Sequence, residues 1–175
     1  MKLRKMTLMA VLTSILLVQE QVLTFIPNVQ FSTLLIVLFV SHFTYKESLV
    51  MLLVYVVLDS LWMGALNPFI MIPMYLGWAL IPTFYHTLLR KTKNPTILAW
   101  FGLMMGSLYG LMFLPFAVLQ TGVSAQVYLL ADLPFQLIMG VSNFVTIYWL
   151  YEPLNARFKE AAVNYQWSMD LNRLN

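Results

Sequence analysis

No cysteine occurs among the 175 residues, which excludes disulfides and thiolate metal sites. Histidine is almost as scarce: His42 and His86 are the only two, and neither has a second histidine at metal-ligand spacing. Packing or interfacial roles are expected for both, and no hydrolytic constellation stands out. There is no glycine-rich phosphate loop, so the chain cannot couple ATP hydrolysis to anything by itself, and it is not expected to be an enzyme. Charge is thin as well, at 10 % of residues. The longest polar stretch is the C-terminal tail 155–175, which leaves no room for a soluble domain. What remains is 61 % hydrophobic, with a mean hydropathy of +0.78. A soluble domain of this size could not cover so much apolar surface. The composition therefore predicts an all-α integral membrane protein with a single transmembrane domain over 1–175.

Six spans are expected, at Lys5–Phe25, Gln30–Phe43, Glu47–Met63, Pro68–Leu89, Pro95–Leu119 and Leu133–Leu150. The second is the shortest, at about 21 Å of helix rise, and suits a helix buried among its neighbours. All ten basic residues fall at Lys2/Arg4/Lys5, Lys46, Arg90/Lys91/Lys93 and Arg157/Lys159/Arg173. In a six-span chain those four places share one side, and the other three loops carry no Lys or Arg. The positive-inside rule then puts both termini in the cytoplasm. Basic residues begin the chain as they would a signal peptide, but no small-residue cleavage site follows, so a retained first helix is expected. Asn67-Pro68 reads as an N-cap followed by proline at the first helical position. Asp132-Leu133-Pro134 is expected to start the sixth helix similarly, leaving Thr121–Ala131 as a long outer loop. Pro73 and Pro82 should kink the fourth helix.

Small and polar residues recur at helical spacing. Gly102, Gly106 and Gly110 put three side-chain-free backbones on one face of the fifth helix, a surface for close helix packing. Gln19, Glu20 and Gln21 occupy the outer part of the first helix, with Asn28 and Gln30 around the turn that follows. Tyr55, Asp59 and Trp62 stripe the third helix, while Tyr109, Phe113, Phe116 and Gln120 stripe the fifth. Gln136, Gly140 and Asn143 stripe the sixth. Any one stripe could be interhelical glue or part of an interfacial aromatic belt. Recurrence at similar depth on four helices points instead to a shared polar cavity opening outward, with Asn67 near its rim.

The outer half holds Glu20, Asp59 and Asp132 but no Lys or Arg. Carboxylates there must be protonated, hydrogen-bonded to amides and hydroxyls, exposed to water, or matched by a cation on a ligand. Such a cavity suits a neutral or cationic, amide-rich or aromatic ligand and is a poor match for a strongly anionic one.

Length, span count, internal termini, an Ala10-x-x-x-Ser14 pair low on the first helix and an outward cavity together resemble the S-component of energy-coupling-factor (ECF) vitamin transporters. Within that family, "IPNVQFSTLLIVLF" and "YVVLDSLWMG" are similar to the cobalamin type. The resemblance implies a subunit of the bacterial cell membrane that captures a vitamin outside and topples to release it inside. A transmembrane coupling subunit and two cytoplasmic ATPases would drive it, using ATP and Mg that the chain itself does not bind. The family's A-x-x-x-A contact with the coupling subunit maps to Ala10 and Ser14, with serine in place of the second alanine. No nucleic acid is expected among its partners. Two other readings stay open: a scaffold of the cell-shape machinery resembling MreD, and an S-component for another vitamin such as a thiamine-like cation.

Overall fold

A computed structural model describes residues 2–26, 28–64 and 66–164, and all its regular elements are helical. Six α-helices follow one another: α1 Lys2–Leu23, α2 Ser32–His42, α3 Tyr45–Trp62, α4 Pro68–Phe84, α5 Pro95–Thr121 and α6 Ala125–Asn164. A single π-turn, Tyr85–Leu89, prolongs α4. Four segments are long and apolar enough to cross a membrane: Leu3–Leu23, Pro68–Leu89, Pro95–Thr121 and Ala125–Ala161. The length of α3 is 18 residues, but it carries Lys46, Glu47 and Asp59. At 11 residues α2 spans only about 16 Å. It is hydrophobic on every face and buried almost throughout, as a central helix must be.

Local chemistry explains most helix ends. Thr44 and Glu47 form a reciprocal capping box that starts α3. Asn67 accepts from the Phe69 N–H at 3.0 Å, and Asn94 from the Thr96 N–H at 2.9 Å, each just before a proline that needs no donor partner. Gly122 ends α5 in the left-handed region at φ 71°. Pro82, which removes one backbone donor, precedes the π-turn at the end of α4.

The sixth helix departs from the sequence expectation. Thr121–Ala131 is not a long loop: only 122–124 is non-helical, and α6 begins at Ala125. Ser124 starts it, its carbonyl accepting from the Tyr128 N–H at 3.1 Å and its hydroxyl from the Val127 N–H at 3.4 Å. Asp132-Leu133-Pro134 therefore lies inside the helix rather than at its start. The tail residues 155–164 continue the same helix, whereas Trp167 and Arg173 lie outside the described residues, as does Pro27 of the first turn. With 40 residues, α6 is about 60 Å long, twice the hydrocarbon thickness of a bilayer.

Contacts gather the basic residues at one end. Lys5 at the start of α1 pairs with Glu47 at 2.6 Å and sits over the Phe43 ring that follows α2. His42 bonds Asn155 of α6 at 2.9 Å, and Tyr45 meets Thr83 at the end of α4. The described cations thus lie at the ends that meet here or in the adjoining segment 90–94. Glu20, Asp59 and Asp132 lie towards the opposite end.

The tightest seam joins α5 to α6. A Cβ on Gly106 would fall 2.6 Å from the Gly140 backbone nitrogen, and one on Gly102 would meet the Ile147 Cδ1 at 2.4 Å. Backbone cannot yield there, whereas the end of an isoleucine side chain can rotate. Asn143, fully buried, donates to the Gly102 carbonyl at 3.1 Å and so belongs to this seam rather than to a cavity. We predict that Gly106→Ala costs about 1–3 kcal/mol, and that Gly102→Ala costs less. Thermal unfolding in detergent checks the order; equal costs would contradict the seam described here.

Candidate solute-binding pocket

Three carboxylates at the acidic end each receive a hydrogen bond from a neutral partner. The Tyr55 hydroxyl of α3 donates to Glu20 of α1. Gln21 of α1 donates through Nε2 to Asp59 Oδ1 of α3 at 2.9 Å. Gln136 donates through Nε2 to Asp132 Oδ2 at 2.8 Å, one turn away on α6. The first two bonds tie α1 to α3 in opposite directions, acid to phenol and amide to acid. Buried or half-buried carboxylates without a cation need such donors, because an unsatisfied one costs more than the bond itself returns.

From Tyr55 an aromatic series crosses the bundle. Its ring meets Trp78 of α4 edge-on at 6.4 Å, Trp78 meets Tyr109 of α5 at 4.4 Å, and Tyr109 meets Phe113 at 5.2 Å. Gly77 makes room for this: a Cβ there would fall 2.6 Å from the Tyr109 ring. Trp78 is buried, and its indole N–H has no hydrogen-bond partner among the described residues.

Beyond Tyr109 the series opens onto a pocket of about 210 Å³. Its aromatic wall is formed by Tyr109, Phe113, Tyr128 and Phe135, and Asn28, Asp132 and Gln136 add polar groups. Asn28 reaches it from a left-handed turn at φ 58°, a conformation asparagine tolerates better than most residues. Gly110 is what lets α6 bring its polar pair against α5. A Cβ on Gly110 would fall 2.7 Å from Asp132 Oδ2 and 2.8 Å from Gln136 Nε2.

The structure brings together some of the residues anticipated from sequence and separates others. Asn28, Tyr109, Phe113 and Gln136 share the pocket, and Glu20, Gln21, Tyr55 and Asp59 form the adjoining network. Gln19 serves elsewhere: its Nε2 donates to Ser32 Oγ at 2.7 Å and its Oε1 accepts from the Phe31 N–H at 3.0 Å, pinning the start of α2. Gln30 accepts from the same Ser32 hydroxyl at 3.2 Å. Asn67 is occupied as a cap, while Trp62 and Gln120 are exposed away from the pocket. Ala10 and Ser14 lie on the exposed face of α1, along an apolar groove of about 600 Å³. Tyr128 and Phe135 were not anticipated in the site, because their stretch read as loop and helix start. With α6 beginning at Ala125, Tyr128, Asp132, Phe135, Gln136 and Met139 fall on one helical stripe, which is the signal that finds them.

The chain matches no family model, no curated protein and no solved structure.

Because Gln19 holds α2 rather than a ligand, Gln19→Leu is expected to lower stability by about 1–3 kcal/mol. Gln30→Ala, which removes only one acceptor, should cost less. Chemical denaturation of the two variants in detergent measures the difference; a fully stable Gln19→Leu protein would contradict the role assigned to Gln19.

Proposed function

We propose that the chain is the solute-capturing membrane subunit of a vitamin importer of the ECF type, crossing the bacterial cell membrane six times with both termini inside. The observation that carries this reading is a polar, aromatic pocket at the end of the bundle opposite every described cation. By the positive-inside rule that end faces outward, where a captured solute would enter. The apolar groove beside Ala10 and Ser14 supports a further part of the reading, since a helix face of small residues suits close approach of another membrane helix. A transmembrane coupling subunit would dock there, and two cytoplasmic ATPases would supply the energy that the chain has no motif to capture.

The size of the pocket reshapes the ligand. About 210 Å³ is below the usual range for drug-sized ligands. Cobalamin is far too bulky for this pocket as it stands, so the proposal keeps the subunit class and takes a smaller solute. A cell-shape scaffold would have no use for a pocket walled by tyrosines and a carboxyl group, which weighs against that alternative.

The test is ATP-driven accumulation in proteoliposomes holding the chain with its coupling subunit and ATPases, offered a panel of labelled vitamins. Accumulation of one of them supports the reading; accumulation of none overturns it. Ala10→Trp should reduce uptake at least tenfold while leaving ligand binding by the isolated subunit unchanged, because Ala10 is exposed and outside the pocket. Equal loss of both activities would contradict the coupling role.

A further inference from the structure

The pocket is lined by one carboxyl group and, among the described residues, by no basic side chain. Asp132 is its only ionisable residue besides two tyrosines. Along α6 the nearest basic residue is Arg157, 25 positions away (157 − 132), or roughly 37 Å at helical rise. Lys93, which precedes α5, lies 16 positions from Tyr109 (109 − 93), or roughly 24 Å. Both separations are far beyond the roughly 4 Å of an ion pair, so neither cation pairs with Asp132. The Gln136 amide hydrogen-bonds one carboxylate oxygen but brings no charge.

Four aromatic residues line the same pocket: Tyr109 and Phe113 from α5, Tyr128 and Phe135 from α6. Aromatic faces attract cations through the ring quadrupole, most strongly for weakly hydrated organic ammonium groups shielded from water. Rings together with a single carboxylate are complementary to such a cation and repel an anion. A metal ion would need several oxygen ligands, and no group of three or more carboxylate or histidine side chains is present among the described residues. A volume of about 210 Å³ corresponds to roughly seven waters at ~30 Å³ each, enough for a compact organic solute.

We propose that this pocket binds a small organic cation, its ammonium group held among the rings of Tyr109, Phe113, Tyr128 and Phe135 and balanced by Asp132. This rests on the proposed capture function for its biological purpose, but the binding chemistry can be tested separately. Trp78, whose ring packs at a tilt against Tyr109 with centroids 4.4 Å apart, places a fluorophore next to the pocket.

The probes are choline and its uncharged carbon isostere 3,3-dimethylbutan-1-ol, titrated into the purified full chain in detergent and followed by tryptophan fluorescence and calorimetry. Choline is expected to bind at least tenfold more tightly than the isostere. Asp132→Asn, which keeps an acceptor for Gln136, should erase that preference while leaving the melting temperature within a few degrees. Tyr128→Leu, in the pocket wall, should weaken choline more than the isostere and guards against a fold-specific failure of the first variant. Equal affinity for both probes, or a preference unchanged in both folded variants, overturns the proposal. If the reconstituted importer accumulates a vitamin while choline shows no preference, the cation inference fails and the capture function stands. If choline shows the preference but no vitamin accumulates, the capture function fails and the cation site stands.

Discussion

Separation of charge along the bundle is the constraint on which the rest depends. Every described Lys and Arg lies at one end, and Glu20, Asp59 and Asp132 lie towards the other. Among the described residues, carboxylates so placed have no cation within ion-pair reach, and hydrocarbon surroundings would make them costly if bare. The fold answers with neutral donors: Tyr55 for Glu20, Gln21 for Asp59 and Gln136 for Asp132. Two of these bonds also join α1 to α3, so satisfying the acids and packing the helices are the same event. The third stays within α6 and leaves the Asp132 carboxyl in the pocket wall.

Glycine makes this arrangement geometrically feasible. Gly106 and Gly140 bring α5 and α6 into backbone contact, and Gly110, one turn along, leaves space for the Asp132–Gln136 pair. On the other side of α5, Gly77 of α4 receives the Tyr109 ring. A single helix thus uses small residues on one face to admit α6 and an aromatic ring on another to fill a gap in α4. The pocket exists because packing at the first face is tight and packing beyond Gly110 is interrupted.

Much of this was legible from residues alone. Glycine spacing on α5 follows from the i, i+4 period of a helix, and it marks the face that α6 covers. The clustering of polar side chains towards one end follows from charge placement, which orders the helices before any contact is known. Individual roles were less legible. Gln19, Gln21 and Gln136 carry the same chemistry, yet one pins a helix start, one satisfies a buried acid and one stands in a pocket wall. Which role each takes depends on the rotation of α1 and α6 about their axes, which a pattern of apolar residues on nearly every face does not fix. The start of α6 was misplaced for a different reason: Asp-Leu-Pro imitates a cap, but Ser124 caps the helix two turns earlier and Pro134 is carried inside it.

The central claim is that the end bearing the pocket faces outward and the basic end inward. Because the chain has no cysteine, single cysteines report position without a background. The decisive measurement is labelling of Ser124→Cys and Lys93→Cys in intact cells with a membrane-impermeant maleimide, each compared with labelling after permeabilisation. Labelling of position 124 in intact cells, with position 93 labelled only after permeabilisation, is the predicted result. The reverse pattern, or equal labelling of both in intact cells, would contradict the account.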